Sequence, residues 1–370
     1  MDDSAINVLF LKLLSAAIWD KPADVTLFNN LDDRTWKQIF RLARLQSVSA
    51  LIACKALSLP QECLPPRQQN AALVSHVEQT RARNLKMMGV LATITDWYEE
   101  AGFPFVLLKG LANGINYPEP LLRNPGDVDL WLYRKGDSER AKTWLESKGY
   151  ETIDGNGIHY IFTEQGIHIE NHRRVSYFDH KKCDRQLAAM EKQAAEDEHF
   201  PFIQLGDLKV RQLPVEMNAF FLYHHMFRHF EHLGVGFRQF CDWILFLKNN
   251  RGQIDPVSFT ALARSYKLLY PMQVFACAAV KYLDAPPDIF PFEVPADNAF
   301  AHKVMKDILE GGNFGFHRSG KKRPKQKIRG MWFSYMTTVR RSLKFWPLSP
   351  RHILILPATK LFHRLRIGFK

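Results

Sequence analysis

The chain has 370 residues, 46% hydrophobic and 24% charged, the mix of a globular protein long enough for two or three packed units and able to fold without disulfide or metal staples. Its net charge of +12 is uneven: fifteen of the 50 Lys and Arg follow Gly311 with no Asp or Glu among them, leaving 35 basic against 38 acidic residues before it, so the body is no basic nucleic-acid binder and the basicity belongs to a C-terminal segment. Five cysteines at 54, 63, 183, 241 and 277 form no CxxC pair, and their odd count speaks against a disulfide framework and for a reducing, cytoplasmic setting.

The first residues, MDDSAINVLFLKLLSAAIW, put acids where an export signal carries bases, and no run of roughly 20 apolar residues follows that would span a bilayer. Apolar spacings of three and four in INVLFLKLLSAAIW, WKQIFRLARLQSVSALIACKAL and VLATITDWYEEAG predict an all-helical region over 1–100. Asp32 or Asp33 caps the second of these helices, and the Pro-containing LSLPQECLPPRQ ends it.

At Gly102 the pattern changes. FPFVLLKG predicts a buried strand feeding a turn, LANGINYP a short helix stopped by Pro118 and Pro120, and PGDVDLWLY a second strand entered through Pro125-Gly126. SERAKTWLESKGY reads as an amphipathic helix capped by Gly149, and GIHYIFTE and GIHIENHRRV, joined by Gln165-Gly166, as a β-hairpin. The order β-α-β-α-β-β predicts an α/β (α+β) core over 101–212, a mixed sheet with helices against it. Residues 213–310 turn helical, with VEMNAFFLYHHMFRHFEHL and FRQFCDWILFLKNN the clearest pieces. Residues 311–370 form a basic, aromatic segment with GKKRPKQKIRG as a charged linker and KLFHRLRIGFK at its end.

Three acids carry the chemistry. Asp127 and Asp129 lie two apart on a predicted strand, so both carboxylates share one face and make a hard-cation site suited to Mg²⁺ bound to a triphosphate. Alone, a DxD is also what a polar strand edge looks like. The apolar Val128, Leu130 and Leu132 make the strand central, where unpaired carboxylates are costly without a cation. In the hairpin, Ile167 and Ile169 point one way and His168, Glu170 and His172 the other, so Glu170 supplies a third carboxylate and the trio predicts a two-metal phosphoryl-transfer geometry. Lys109-Gly110, at a strand-to-helix turn, offers a cation and backbone N–H groups to a phosphate, or serves only a tight turn at the sheet rim.

FVLLKGLANGINYPEPLLRNPGDVDLWLY, followed by GYE and IHIENH, resembles the bacterial uncharacterised nucleotidyltransferase family of the DNA polymerase β-like superfamily. The pattern is Leu108-Lys109-Gly110, Tyr117-Pro118, Arg123 and Asp127-Val128-Asp129-Leu130, then Glu170 and His172, and downstream His225, His229, Arg238, Cys241 and Asp242. It covers roughly residues 30–250. The resemblance implies a nucleotidyltransferase-like mixed sheet flanked by N- and C-terminal helical regions. It also implies an NTP co-substrate and Mg²⁺ or Mn²⁺ held by Asp127, Asp129 and Glu170, with Glu170 favouring deprotonation of a hydroxyl that attacks the α-phosphorus. Lys109, Gly110, Arg123, His172, His225, His229, Arg238 and Asp242 are then the expected nucleotide and substrate residues. Arg123 is equally readable as a surface ion pair.

His225, His229 and His232 share a helical face, but no HExxH or acidic ligand accompanies them, which favours a cleft lining or a polar seam over zinc. The expected reaction transfers a nucleoside monophosphate to a small-molecule, sugar or protein hydroxyl. The alternatives are a nucleic-acid-binding or -modifying protein that uses the basic segment, and a nucleotide sensor without turnover. That segment admits nucleic-acid contact, peripheral membrane contact, or docking of apolar runs such as HILILP onto the body.

Overall fold

In the computed structural model, the N-terminal region is four helices: α1 (Asp3–Ile18), α2 (Asp33–Leu45), α3 (Ser49–Leu57) and α4 (Arg67–Ala101). The structure describes residues 3–155, 157–315 and 326–361; most of GKKRPKQKIRG and of KLFHRLRIGFK lies outside the described residues. Asp32 caps α2, its carboxylate accepting the Thr35 N–H at 2.8 Å. The run read from the sequence as one helix, WKQIFRLARLQSVSALIACKAL, is broken at Ser47, whose φ of 55° is left-handed. Gly102, at φ 74°, closes α4 and turns the chain into the sheet.

The sheet core runs β1 (Val106–Leu107), α5 (Leu111–Gly114), β2 (Val128–Trp131), α6 (Asp137–Ser147), β3 (Ile153–Gly155), β4 (His159–Glu164) and β5 (Ile167–His172). Its spatial order is β1-β2-β5-β4-β3, with β2 and β5 parallel and the other pairs antiparallel, the mixed sheet expected. Gln165 at φ 49° and Gly166 at φ 76° provide the two left-handed residues a tight hairpin needs. β2 is flanked on both sides and all four of its residues are buried, as its apolar flanks predict. The strand begins at Val128, so Asp127 sits in the turn just ahead of it. β3 escaped the sequence pattern because it is three residues long with Ile153 facing solvent.

Beyond the sheet come α7 (Lys181–Asp197), the hairpin β6 (Phe202–Leu205) and β7 (Leu208–Arg211), α8 (Val215–His232), α9 (Phe237–Asn249), α10 (Pro256–Ser265), α11 (Leu269–Leu283), α12 (Ala299–Gly311), α13 (Lys327–Phe345) and α14 (Pro350–Ile353). One buried cluster joins α1–α3 to α8, α9, α11 and α12, so the two helical regions at opposite ends of the sequence share a core. Phe10 of α1 meets Phe237 of α9 at 5.5 Å between ring centres, and burying a side chain of this size contributes roughly 1.5–3 kcal/mol. A second cluster seats the sheet on the later half of α4, from Met87 to Tyr98.

The basic segment docks where it is described. Arg341 Nη1 reaches buried Asp307 at 2.9 Å, Ile353 and Leu356 of the HILILP run are buried, and His352 Nε2 lies 2.7 Å from the Tyr266 carbonyl oxygen. No helix among the described residues is long and apolar enough to cross a membrane.

Candidate active site

Parallel pairing of β2 and β5 registers Asp129 against Glu170, and strands in a sheet lie ~4.8 Å apart, so the two carboxylates rise side by side into a cleft of about 360 Å³. Asp127, at the cleft mouth, lines the same space. Asp129 is buried, and Lys109 Nζ and His172 Nε2 each lie 3.0 Å from its Oδ1. Burial opposes the charge of Asp129, but Lys109 and the bond to His172 outweigh it and hold the carboxyl well below the usual range.

His172 Nε2 also sits 3.2 Å from Glu170 Oε2. Burial would strip this ring of its proton, yet its bonds to Asp129 and Glu170 raise its pKa, and the ring bridges the two acids. Asp127 shifts upward, through burial first and then the negative charge of Glu170 and Asp129. On the neighbouring strand His159 faces Glu170 with Nδ1 3.7 Å from Oε2, and burial lowers its pKa.

The opposite wall is basic. α8 presents His225, Arg228 and His229 at one-turn spacing, and α9 adds Arg238 and Gln239. Desolvation, with the charge of Lys109 behind it, pushes His229 down to about 3 and His225 well below its ordinary value, so both rings are neutral. Burial also lowers Arg228, to about 10, and Arg238. Arg228 lies over the Tyr177 ring at 3.4 Å, and the Nε atoms of both arginines are buried without a hydrogen-bond partner among the described residues. Poorly hydrated guanidiniums facing a cleft attract an anion. Asn113, also on the lining, has both side-chain amide atoms without a hydrogen-bond partner among the described residues.

Arg123 and Asp242 lie at the cleft with their charges turned on each other. Arg123 Nε and Nη2 each reach an Asp242 oxygen at 2.7 Å, and the Tyr117 hydroxyl donates to Asp242 Oδ1 at 2.8 Å. The sequence left Arg123 as a phosphate ligand or a surface ion pair; the pair is buried and ties the sheet core to α9. Arg238 continues the seam, donating to the Pro125 carbonyl oxygen at 3.1 Å just before Asp127.

Gly110 is required for space. At φ 65°, a Cβ there would lie 2.9 Å from the Asp127 carbonyl oxygen. α5, which follows, is a single four-residue turn, too short to add a helix dipole to the backbone N–H groups at its start.

A protein family described as uncharacterised nucleotidyltransferase matches residues 32–284, a span containing every residue of both walls. The chain belongs to that family. No curated protein and no solved structure matches it.

Every site residue read from the sequence lines the cleft of this nucleotidyltransferase: Lys109, Gly110, Arg123, Asp127, Asp129, Glu170, His172, His225, His229, Arg238 and Asp242. His232 leaves it to face Asp179 at 3.2 Å, and His224 is buried on Phe178 at 3.8 Å between ring centres. Sequence reasoning missed His159, Arg228 and Asn113. The signal for Arg228 was there, three residues after His225; for His159 it was the hairpin register that sets it opposite His172.

Proposed function

We propose that this nucleotidyltransferase moves a nucleoside monophosphate from an NTP to a hydroxyl acceptor, releasing pyrophosphate with the help of Mg²⁺ or Mn²⁺. The observation that carries the proposal is the pairing of walls: three carboxylates on the sheet side face two desolvated guanidiniums across one cleft of small-ligand size. Asp127, Asp129 and Glu170 offer hard oxygen donors; burial and then the charges of Glu170 and Asp129 raise Asp127, and a divalent cation among them relieves that repulsion. His159, Glu170 and His172 bring ligand atoms within 4.8 Å of one another, but their imidazole nitrogens are poor partners for a hard ion, so the Mg²⁺ or Mn²⁺ of the proposal rests on the carboxylate oxygens.

When bound, the ion supplies charge neutralisation at the reacting phosphate and a lowered pKa for the attacking hydroxyl. The protein does the positioning. Arg228 and Arg238 hold the phosphate oxygens on the far wall, Lys109 and His172 fix the Asp129 carboxylate, and Glu170, half-buried, accepts the acceptor's proton. The acceptor oxygen bonds to the α-phosphorus, the bond to the bridging oxygen breaks, and pyrophosphate departs. The acceptor is a small-molecule, sugar or protein hydroxyl, and five free thiols fit a cytoplasmic protein.

The deciding experiment offers α- and γ-labelled NTPs with Mg²⁺ or Mn²⁺ and fractionated extract. The α-label should appear on an acceptor while the γ-label leaves as pyrophosphate. Transfer of the γ-label instead would make the protein a kinase and end the proposal.

A second reading concerns the acceptor. Trp332 is 62% exposed and Arg329 and Arg340 also face solvent, in a segment without acids, which suits stacking and phosphate contact with a nucleic acid. Binding that falls steeply with salt and weakens in a W332A/R340Q variant supports it; salt-insensitive binding refutes it.

A further inference from the structure

Asp179, Glu231 and His232 form a second polar cluster, outside the proposed catalytic one. Each brings one ligand atom within 4.8 Å of the others. His232 Nε2 lies 3.2 Å from Asp179 Oδ2, and Glu231 is more than nine-tenths buried with Oε2 lacking any hydrogen-bond partner among the described residues. An isolated buried carboxylate is costly, by several kcal/mol for the ion, and proteins that keep one use it or pair it. The nearest cation, Arg228, is engaged on the face of Tyr177. Burial, and then the charge of Asp179, pushes the Glu231 carboxyl up.

We infer that Asp179, Glu231 and His232 form a second metal site, for a divalent transition ion of the zinc class, separate from the ions of the proposed transferase reaction. One imidazole nitrogen and two carboxylate oxygens suit Zn²⁺ with a fourth position for water, whereas the imidazole disfavours Mg²⁺ and Ca²⁺. Geometry gives the site a purpose. Asp179 ends the connector that leaves β5, whose Ser176 and Tyr177 line the catalytic cleft; Glu231 and His232 form the last turn of α8, whose His225, Arg228 and His229 line its other wall. An ion here cross-links the two walls and sets the width between them.

The test uses the full chain carrying His159→Gln and His172→Gln, which removes the imidazole donors of the catalytic corner. After loading with Zn²⁺ and exhaustive buffer exchange, elemental analysis should find about one zinc per chain. Adding Glu231→Gln, which keeps the side-chain volume, should remove that zinc and abolish the visible bands of the Co²⁺-substituted protein. It should also cancel a zinc-dependent rise in Tm. Asp179→Asn provides an independent variant should the first fold poorly. Zinc content unchanged in both variants, or no zinc retained by the parent, overturns the inference. Because the parent lacks catalytic imidazoles and the readout is metal content, the result is independent of whether the chain turns over NTP.

Discussion

The two walls of the cleft are built by opposite means. On the sheet side, charge is compensated: Asp129 is held between Lys109 and His172, and His172 reaches on to Glu170. On the helical side charge is stranded, with Arg228 and Arg238 desolvated and His225 and His229 driven neutral. A wall whose charges are already paired is rigid and fixes geometry; a wall whose cations form no ion pair among the described residues holds attraction in reserve for a ligand. The buried Arg123–Asp242 pair joins one to the other.

The contrast breaks first at Asp129. In Asp129→Asn the volume is kept and the charge is lost, so NTP turnover should fall by roughly 10²–10³-fold or more, and the thermal melt should drop as well because Lys109 and buried His172 lose their counter-charge; activity within tenfold of wild type in the folded variant would remove Asp129 from the chemistry. Next, Asp242→Asn leaves Arg123 buried without its counter-ion and should cost about 3–5 kcal/mol in urea denaturation. A smaller loss would mean that water reaches the pair and the joint between the walls is loose.

Substitution on the stranded side should act differently. Arg228→Met with Arg238→Met should raise the NTP KM by roughly tenfold for about 1.4 kcal/mol of lost phosphate contact, with kcat and stability nearly unchanged. A fall in kcat at constant KM would transfer these residues to the transition state. The mildest effect is pH-dependent. His229 has its folded pKa pressed from 6.5 to about 3, so the stability tied to its neutral form is complete above pH 6.5 and drains away as pH falls towards 3. Denaturant midpoints at pH 7 and pH 4.5 should differ less in His229→Gln than in the parent, and equal slopes would show the ring to be hydrated.

Much of the fold was legible because periodicity carried it: the N-terminal helices, the hairpin turn at Gln165-Gly166 and the buried strand after Gly126 all follow from local pattern. The break at Ser47 was not, since nothing in QSVS forbids a continuing helix and tertiary packing chose the left-handed turn. Among the site residues, Asp129 and Glu170 announced themselves through the two-residue strand period, whereas Asp127, read as their strand partner, sits just ahead of β2. The basic wall was weaker in the sequence because the chemistry of Arg228 depends on burial, which a charge on a surface-patterned helix does not reveal. Arg123 and Asp242 stand 119 positions apart, and only the packing of α9 against the turn before β2 brings them together.

By itself the sequence determined which residue types stand on which face of each element, because strand and helix periods are properties of the local backbone. It thereby fixed Asp129 and Glu170 on one side of a sheet, a family resemblance, and a basic segment at the far end of the chain. Tertiary structure alone decided which charges are paired and which are left stranded, and that Asp179 comes to rest against Glu231 and His232. Those outcomes depend on distances between distant segments and on the water excluded between them, quantities that no local pattern encodes.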